Sequence, residues 1–226
     1  MRCYSWILLT YCVCLFLSSS TALDSLKISF GEPELLSEAE GNGWRPEKGA
    51  DKVDAHKGSS LLVQGLPPIL QLHLKRFNYD WQFDQMSKIN DRFSFPEVLD
   101  LSSICSNIEE DQEDRAVYDL QSVVVHAGEY NVGHYYSYVR PDVRKEDWYR
   151  FNDDIVERVS FKEVTEDAFG GRSAAAASTK KRGLFRRILR PFQGSGGTYG
   201  WGGSTSNAYV VQYVKRCDLP MLYPDK

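Results

Sequence analysis

Histidine and cysteine supply most of the basic and nucleophilic chemistry open to this chain, and both are few: four His and five Cys. His56 sits in polar, irregular sequence and His73 on the polar side of an alternating segment, so both read as surface residues. His126 and His134 bracket a glycine-bearing loop, 127–133, and Gly133 stands directly before His134. A glycine there allows another backbone, such as a substrate chain, to approach the imidazole closely. Downstream, WYRFNDD (148–154) places Asn152 and Asp153 at the end of a strand-like run. With the two strands paired antiparallel, strand-start His134 and strand-end Asn152 meet side by side. An amide or carboxylate beside an imidazole fixes its tautomer and ring angle, and the imidazole then takes a proton from a nucleophile. That is the orienting half of a Cys-His-Asn or Cys-His-Asp triad. A histidine bonded to a strand-end asparagine for purely structural reasons fits the same spacing.

These residues need a scaffold, and the pattern predicts a largely β one. Leu70, Leu72 and Leu74 alternate with Gln71, His73 and Lys75, a period of two that puts the leucines on one face of a strand over 69–77. Pro67 and Pro68 precede it, where a missing N–H costs least. β-Branched and aromatic runs predict further strands over 117–125, 134–139, 148–151 and 208–215. Ser160 and Glu163 form a capping-box pattern that opens a short helix over 161–169, and Gly170 and Gly171 stop it. Acidic residues 109–114 read as a solvated loop between strands.

Composition narrows the classes. Lys plus Arg is 27 against 31 for Asp plus Glu, a net charge of -4, so no whole-chain basic field invites nucleic acid and no nucleic-acid partner is expected. At 226 residues, 42% hydrophobic and 13% aromatic, the chain can build one good-sized domain with appendages. The absence of a CxxC pair excludes a cysteine-clustered zinc site and a dense disulfide framework; no metal or cofactor is expected. Residues 172–206 form a low-complexity insertion with an alanine run, a basic stretch at 180–191 and a Gly/Ser-rich end. The basic stretch fits either a solvated tether or a cationic amphipathic helix for an anionic surface, so membrane contact stays open.

The N-terminus poses a separate question. ILLTYCVCLFL (7–17) follows Arg2 and precedes small residues ending at Ala22, the layout of a secretory signal peptide. It is short of the roughly 20 apolar residues of a transmembrane helix. A buried strand or helix, or a mistaken start, fits the same residues. Cys3, Cys12 and Cys14 lie in that segment, Cys105 and Cys217 could form one bridge, and no Asn begins an N-x-S/T sequon, which weakens the secretory reading.

Five phrases occur in order: LPPILQLHLKRFNYD (66–80), KINDRFSFPEVLDL (88–101), VVVHAGEYNVGHYYSYV (123–139), WYRFNDDIVERVS (148–160) and SNAYVVQYVKR (206–216). Together they resemble the C-terminal, His-box half of the catalytic domain of ubiquitin-specific proteases, papain-like cysteine deubiquitinases. The KINDRF phrase and the missing CxxC pairs are most similar to the herpesvirus-associated branch. The resemblance covers about 42–171 and 206–216. It implies an α+β, papain-like cysteine protease fold that is incomplete here: a mostly antiparallel palm-type subdomain with short helices. It implies His134 as general base and acid, Asn152 as its orienter and Asp153 as a supporting carboxylate. Phe77, His126, Gly133, Tyr135 and Tyr209 match positions along the channel for the ubiquitin tail, and 127–133 resembles the loop that moves over that tail. Core packing is the competing reading for Phe77 and Tyr209.

The departure from the family is large. Its nucleophile lies in a GNTCYMNS-type box on the other subdomain, and this sequence has no such box. The expectation is a chain that is inactive alone, a part of a thiol-dependent deubiquitinase whose partners are ubiquitin and ubiquitinated proteins. The alternatives are a catalytically dead ubiquitin-binding module or a secreted relic of the family. The expected location is cytoplasm or nucleus, or the secretory pathway if 1–22 is a signal peptide. The expected organisation is a signal-like segment 1–22, an irregular lead-in 23–60 with at most a short strand near 26–30, a domain part 61–216 interrupted by 172–206, and a tail 217–226.

Overall fold

The computed structural model describes residues 10–15, 17, 19–30, 33–106, 108, 114–171 and 205–224. The first half holds β1 (Thr10–Leu15), α1 (Ala22–Phe30), β2 (Glu34–Leu36), β3 (Ala55–Lys57), β4 (Leu61–Leu62), β5 (Ile69–Leu74), β6 (Phe77–Asp80), β7 (Gln85–Lys88), β8 (Val98–Asp100) and β9 (Cys105–Ser106). The second half holds β10 (Val117–Gly128), β11 (Gly133–Val139), β12 (Trp148–Asn152), β13 (Ile155–Val159), α2 (Phe161–Ala168), β14 (Asn207–Lys215) and α3 (Leu219–Leu222).

One mixed sheet organises these elements, in the order β1-β5-β14-β10-β11-β12-β13, with β8 also pairing β10. Only β1 and β5 run parallel within it; the other pairs are antiparallel. The leucines expected on one face of β5 are buried, Leu72 and Leu74 fully, while Gln71 and His73 stay partly open on the other. They pack in one core with Leu15, Leu26, Phe93, Phe95, Val123, Val125, Val211 and Tyr213. Truncating such a leucine to alanine typically costs about 2–5 kcal/mol.

Two expectations change. The apolar N-terminal run fits either a removable peptide or a buried element; from Thr10 to Leu15 it forms β1, registered residue for residue on β5, with Leu15 fully buried. A cut after Ala22 would remove that strand and sever α1. Residues 1–9 lie outside the described residues. The loop or short strand expected over 23–30 is instead the helix α1. Thr21 Oγ1 accepts from the Asp24 N–H at 3.1 Å, an N-cap bond, and Ala22 and Leu26 face the core. The run of small residues ending at Ala22 therefore holds a helix cap at Thr21.

Other local signals hold. Glu163 N–H donates to Ser160 Oγ at 3.3 Å and Ser160 N–H to Glu163 Oε2 at 2.8 Å, completing the capping box of α2. Gly170 ends it at φ +71°. Most of the acidic 109–114 segment and of the 172–206 insertion lies outside the described residues. Among the described residues no helix is long and apolar enough to cross a membrane.

Candidate active site

The hairpin β10–β11 carries the histidine of interest. Ala127 pairs with His134 and His126 with Tyr135, so strand alternation sends His134 to one face and Tyr135 to the other. Glu129 N–H donates to Val132 O at 2.9 Å to close the turn, and Gly128 takes φ +119° at its entry. A β-carbon at Gly133 would stand 1.9 Å from His126 Nε2, so the bare glycine makes room for the neighbouring imidazole.

Strand β12 brings the partner. The register Ser137 to Phe151 and Tyr138 to Arg150, continued one step, sets Asn152 opposite Tyr136. His134 and Asn152 therefore meet diagonally on one face, within the reach of such neighbours, rather than directly opposite. His134 Nε2 lies 2.6 Å from Asn152 Oδ1. With the amide oxygen as acceptor, the proton sits on Nε2 and the basic lone pair is on Nδ1. Asp153 Oδ2 is 3.7 Å from the same Nε2, but its side chain is 73% exposed, so its charge acts through a screened path. Asp153 occupies the left-handed region at φ +52° in the two-residue turn to β13, which aims the carboxylate back toward the ring. All three residues expected to act together do lie together.

The five residues expected along the tail channel also gather, on the opposite face at the same strand end. His126 stands 4.7 Å from Tyr135 and 5.5 Å from Phe77, ring centre to ring centre; Tyr209 stands 5.6 Å from Tyr135 and 5.8 Å from Phe77. Tyr135 is 49% exposed, so this aromatic wall reaches solvent. His126 is 3% exposed, its Nδ1 has no hydrogen-bond partner among the described residues, and burial with Lys88 nearby pushes its pKa down to about 4. It is a neutral ring at physiological pH.

Two supporting groups escaped sequence reading. Lys88, at the end of β7, donates to the carbonyls of His126 at 3.0 Å, Gly128 at 2.9 Å and Thr205 at 2.6 Å. One ammonium thus ties the hairpin base to the entry of β14; burial lowers its pKa to about 8. Asp167 of α2 accepts from Tyr138 OH at 3.0 Å, from Tyr136 OH, and from Ser206 Oγ at 2.8 Å. Tyr136 in turn stacks on His134 with centroids 6.3 Å apart. No local spacing reveals either group, because the partners come from distant parts of the chain.

The cysteines stand elsewhere. Cys12 and Cys14 lie in β1, four strand steps from β11, roughly 19 Å at the usual strand spacing. Cys217 follows Lys215, which pairs with Tyr118, nine residues along β10 from the partner of His134, on the order of 30 Å away. Cys105 N–H bonds Leu101 O at 3.1 Å, toward that same far end. The described cysteines are free thiols, so the possible Cys105–Cys217 bridge is not formed. Among the described residues no group of three His, Cys, Asp or Glu is placed to hold a metal ion.

A histidine bonded to an asparagine at the end of a mixed sheet has the geometry of the base half of a cysteine-hydrolase site. The comparisons make the class specific. The family described as ubiquitin carboxyl-terminal hydrolase matches residues 13–213. The chain is 38% identical over 197 residues to ubiquitin carboxyl-terminal hydrolase 15 of Schizosaccharomyces pombe, covering 87% of this chain and 16% of that protein. It is 40% identical over 193 residues to ubiquitin C-terminal hydrolase 13 of Arabidopsis thaliana, covering 84% and 16%. Over 125 residues it is 42% identical to ubiquitin carboxyl-terminal hydrolase 15 of Saccharomyces cerevisiae, covering 52% and 10%. The chain belongs to the ubiquitin carboxyl-terminal hydrolase family, the cysteine-type deubiquitinases. It spans 16% or less of the length of these curated relatives.

Proposed function

We propose that this chain supplies the base-bearing half of a thiol-dependent deubiquitinase, closest to the herpesvirus-associated branch, and that the nucleophilic cysteine is supplied from outside these 226 residues. The reaction is hydrolysis of the isopeptide bond after the C-terminal glycine of ubiquitin. The observation that carries this reading is the 2.6 Å contact between His134 Nε2 and Asn152 Oδ1. With Nε2–H held by Asn152, Nδ1 takes the proton of an incoming thiol; the thiolate attacks the carbonyl carbon, and the imidazolium returns the proton to the departing lysine amine. Water then repeats the sequence on the thioester with the same histidine as base. The wall formed by Phe77, His126, Tyr135 and Tyr209 is made of tilted aromatic rings, which suits a glycine-ended tail whose own side chains take little space. No cofactor takes part, and the place of action is the cytoplasm or nucleus.

The test adds a ubiquitin–aminocoumarin substrate to the purified chain alone and to the chain mixed with a cysteine-bearing segment from one of its relatives. Turnover is expected only in the mixture and is lost in His134→Ala. Turnover by the chain alone that vanishes in His134→Ala would overturn the external nucleophile. A second reading, a ubiquitin-binding module without catalysis, draws on the exposure of Tyr135 in the aromatic wall. Retention of ubiquitin by the chain, with no turnover in any mixture, would favour it.

A further inference from the structure

A sulfur–imidazole pair stands on the other side of the sheet's centre, at β1 and β5. The register of β1 on β5 sets Cys14 opposite His73, and Cys14 Sγ stands 3.8 Å from His73 Nδ1. Cys12 lies on the same face of β1, two residues away, and both thiols are exposed. Lys75 follows directly after β5 and adds positive charge beside Cys12 and His73. The imidazole is held in place by Tyr209, whose ring meets it edge-on at 4.7 Å, and it forms one wall of an open cavity shared with Lys75, Phe77 and Tyr209. Burial and Lys75 hold the His73 pKa below its ordinary value, which keeps the ring neutral and able to accept a proton. Burial and the neighbouring Cys14 push the Cys12 thiol the other way, up, and it lacks an imidazole.

We propose that Cys14 and His73 form a thiol-modification site that exchanges with small anionic disulfides. In the exchange His73 Nδ1 takes the thiol proton, and Cys14 Sγ attacks one sulfur of the disulfide. A bond forms between Sγ and that sulfur as the original S–S bond breaks, and the departing thiolate collects the proton from the imidazolium. The products are a mixed disulfide on Cys14 and one small thiol, with no other oxidant needed. Lys75 matches the carboxylates of a disulfide such as oxidised glutathione, and the cavity beside His73 gives the adduct room. Cys12 does not resolve the adduct: two residues along a strand separate Cα atoms by roughly 6.7 Å, at the limit of disulfide reach. The exchange needs no nucleophile for His134, although the cavity shares Phe77 and Tyr209 with the aromatic wall beside that site.

The test incubates the purified chain with oxidised glutathione and follows each cysteine by peptide mass spectrometry. Cys14 is expected to gain the adduct at least about tenfold faster than Cys217, which is also exposed but carries Asp218 beside it. His73→Gln brings the Cys14 rate down to that of Cys217, and Cys12→Ser leaves it unchanged. Equal rates at Cys14 and Cys217 would overturn the proposal whether or not His73→Gln folds.

Discussion

Gly133 lies so close to the His126 ring that a β-carbon would stand 1.9 Å from Nε2. The backbone of Gly133 is not in the left-handed region, so the requirement for glycine is one of space alone. Gly133→Ala must push the buried ring or the β10–β11 hairpin aside, and overpacking of this kind costs about 1–3 kcal/mol. Adding His126→Ser removes the obstruction. The double variant should be more stable than the sum of the single effects by at least about 1 kcal/mol, read from denaturant midpoints. Strict additivity would show that the glycine serves something other than His126.

Asn152 carries the orientation of His134, and only its oxygen is used in the 2.6 Å contact. Asn152→Ala leaves the Nε2 proton without that acceptor. In the chain completed by a cysteine-bearing segment, it should lower kcat/KM for ubiquitin–aminocoumarin by about 10²–10⁴, the range for a lost triad orienter. Asn152→Asp keeps an acceptor oxygen at the same reach and should retain most activity. An alanine variant as active as the aspartate variant would assign the orienting role to Asp153 instead.

The local chemistry of the sequence was legible where both partners sit in one pattern. Leu70, Leu72 and Leu74 announce a buried strand face because burial follows their period. Ser160 and Glu163 announce a helix start because the cap closes on itself within three residues. The His134–Asn152 pair was legible as an adjacency, but spacing alone could not fix a diagonal rather than a direct partner, since register is set by pairing across the whole strand. β1 was hidden because a short apolar run reads alike whether a sheet covers it or a membrane translocates it. Lys88 was hidden because its acceptors, on residues 126, 128 and 205, converge only after folding.

Lys88 fixes the base of the hairpin that presents His134. Lys88→Met keeps the length of the stem and removes the donors, leaving the carbonyls of His126, Gly128 and Thr205 short of partners. The expected loss is about 2–3 kcal/mol, that of buried acceptors left unsatisfied. Amide hydrogen exchange should quicken chiefly at residues 126–134 and 205–208, with β5 little affected. Lys88→Arg restores a charged donor and should recover part of the protection. Uniformly faster exchange across the sheet would show that Lys88 contributes only to global stability.

His126 gives the fold an acid sensitivity whose sign follows from its burial. Its folded pKa is about 4, against roughly 6.5 for an unfolded histidine. Between those values the unfolded chain binds a proton that the native ring refuses. Stability from this group is therefore fully present above about pH 6.5 and is lost as pH falls toward about 4, at up to about 1.4 kcal/mol per pH unit. His73 shifts in the same direction and remains in any His126 variant, so the difference between the two proteins isolates His126. Urea midpoints at pH 7 and pH 5 should show the unaltered chain losing about 1–2 kcal/mol more than His126→Gln over that interval. Equal losses in both would mean that the imidazole protonates in place, with water or a carbonyl reaching the Nδ1 atom that now has no partner.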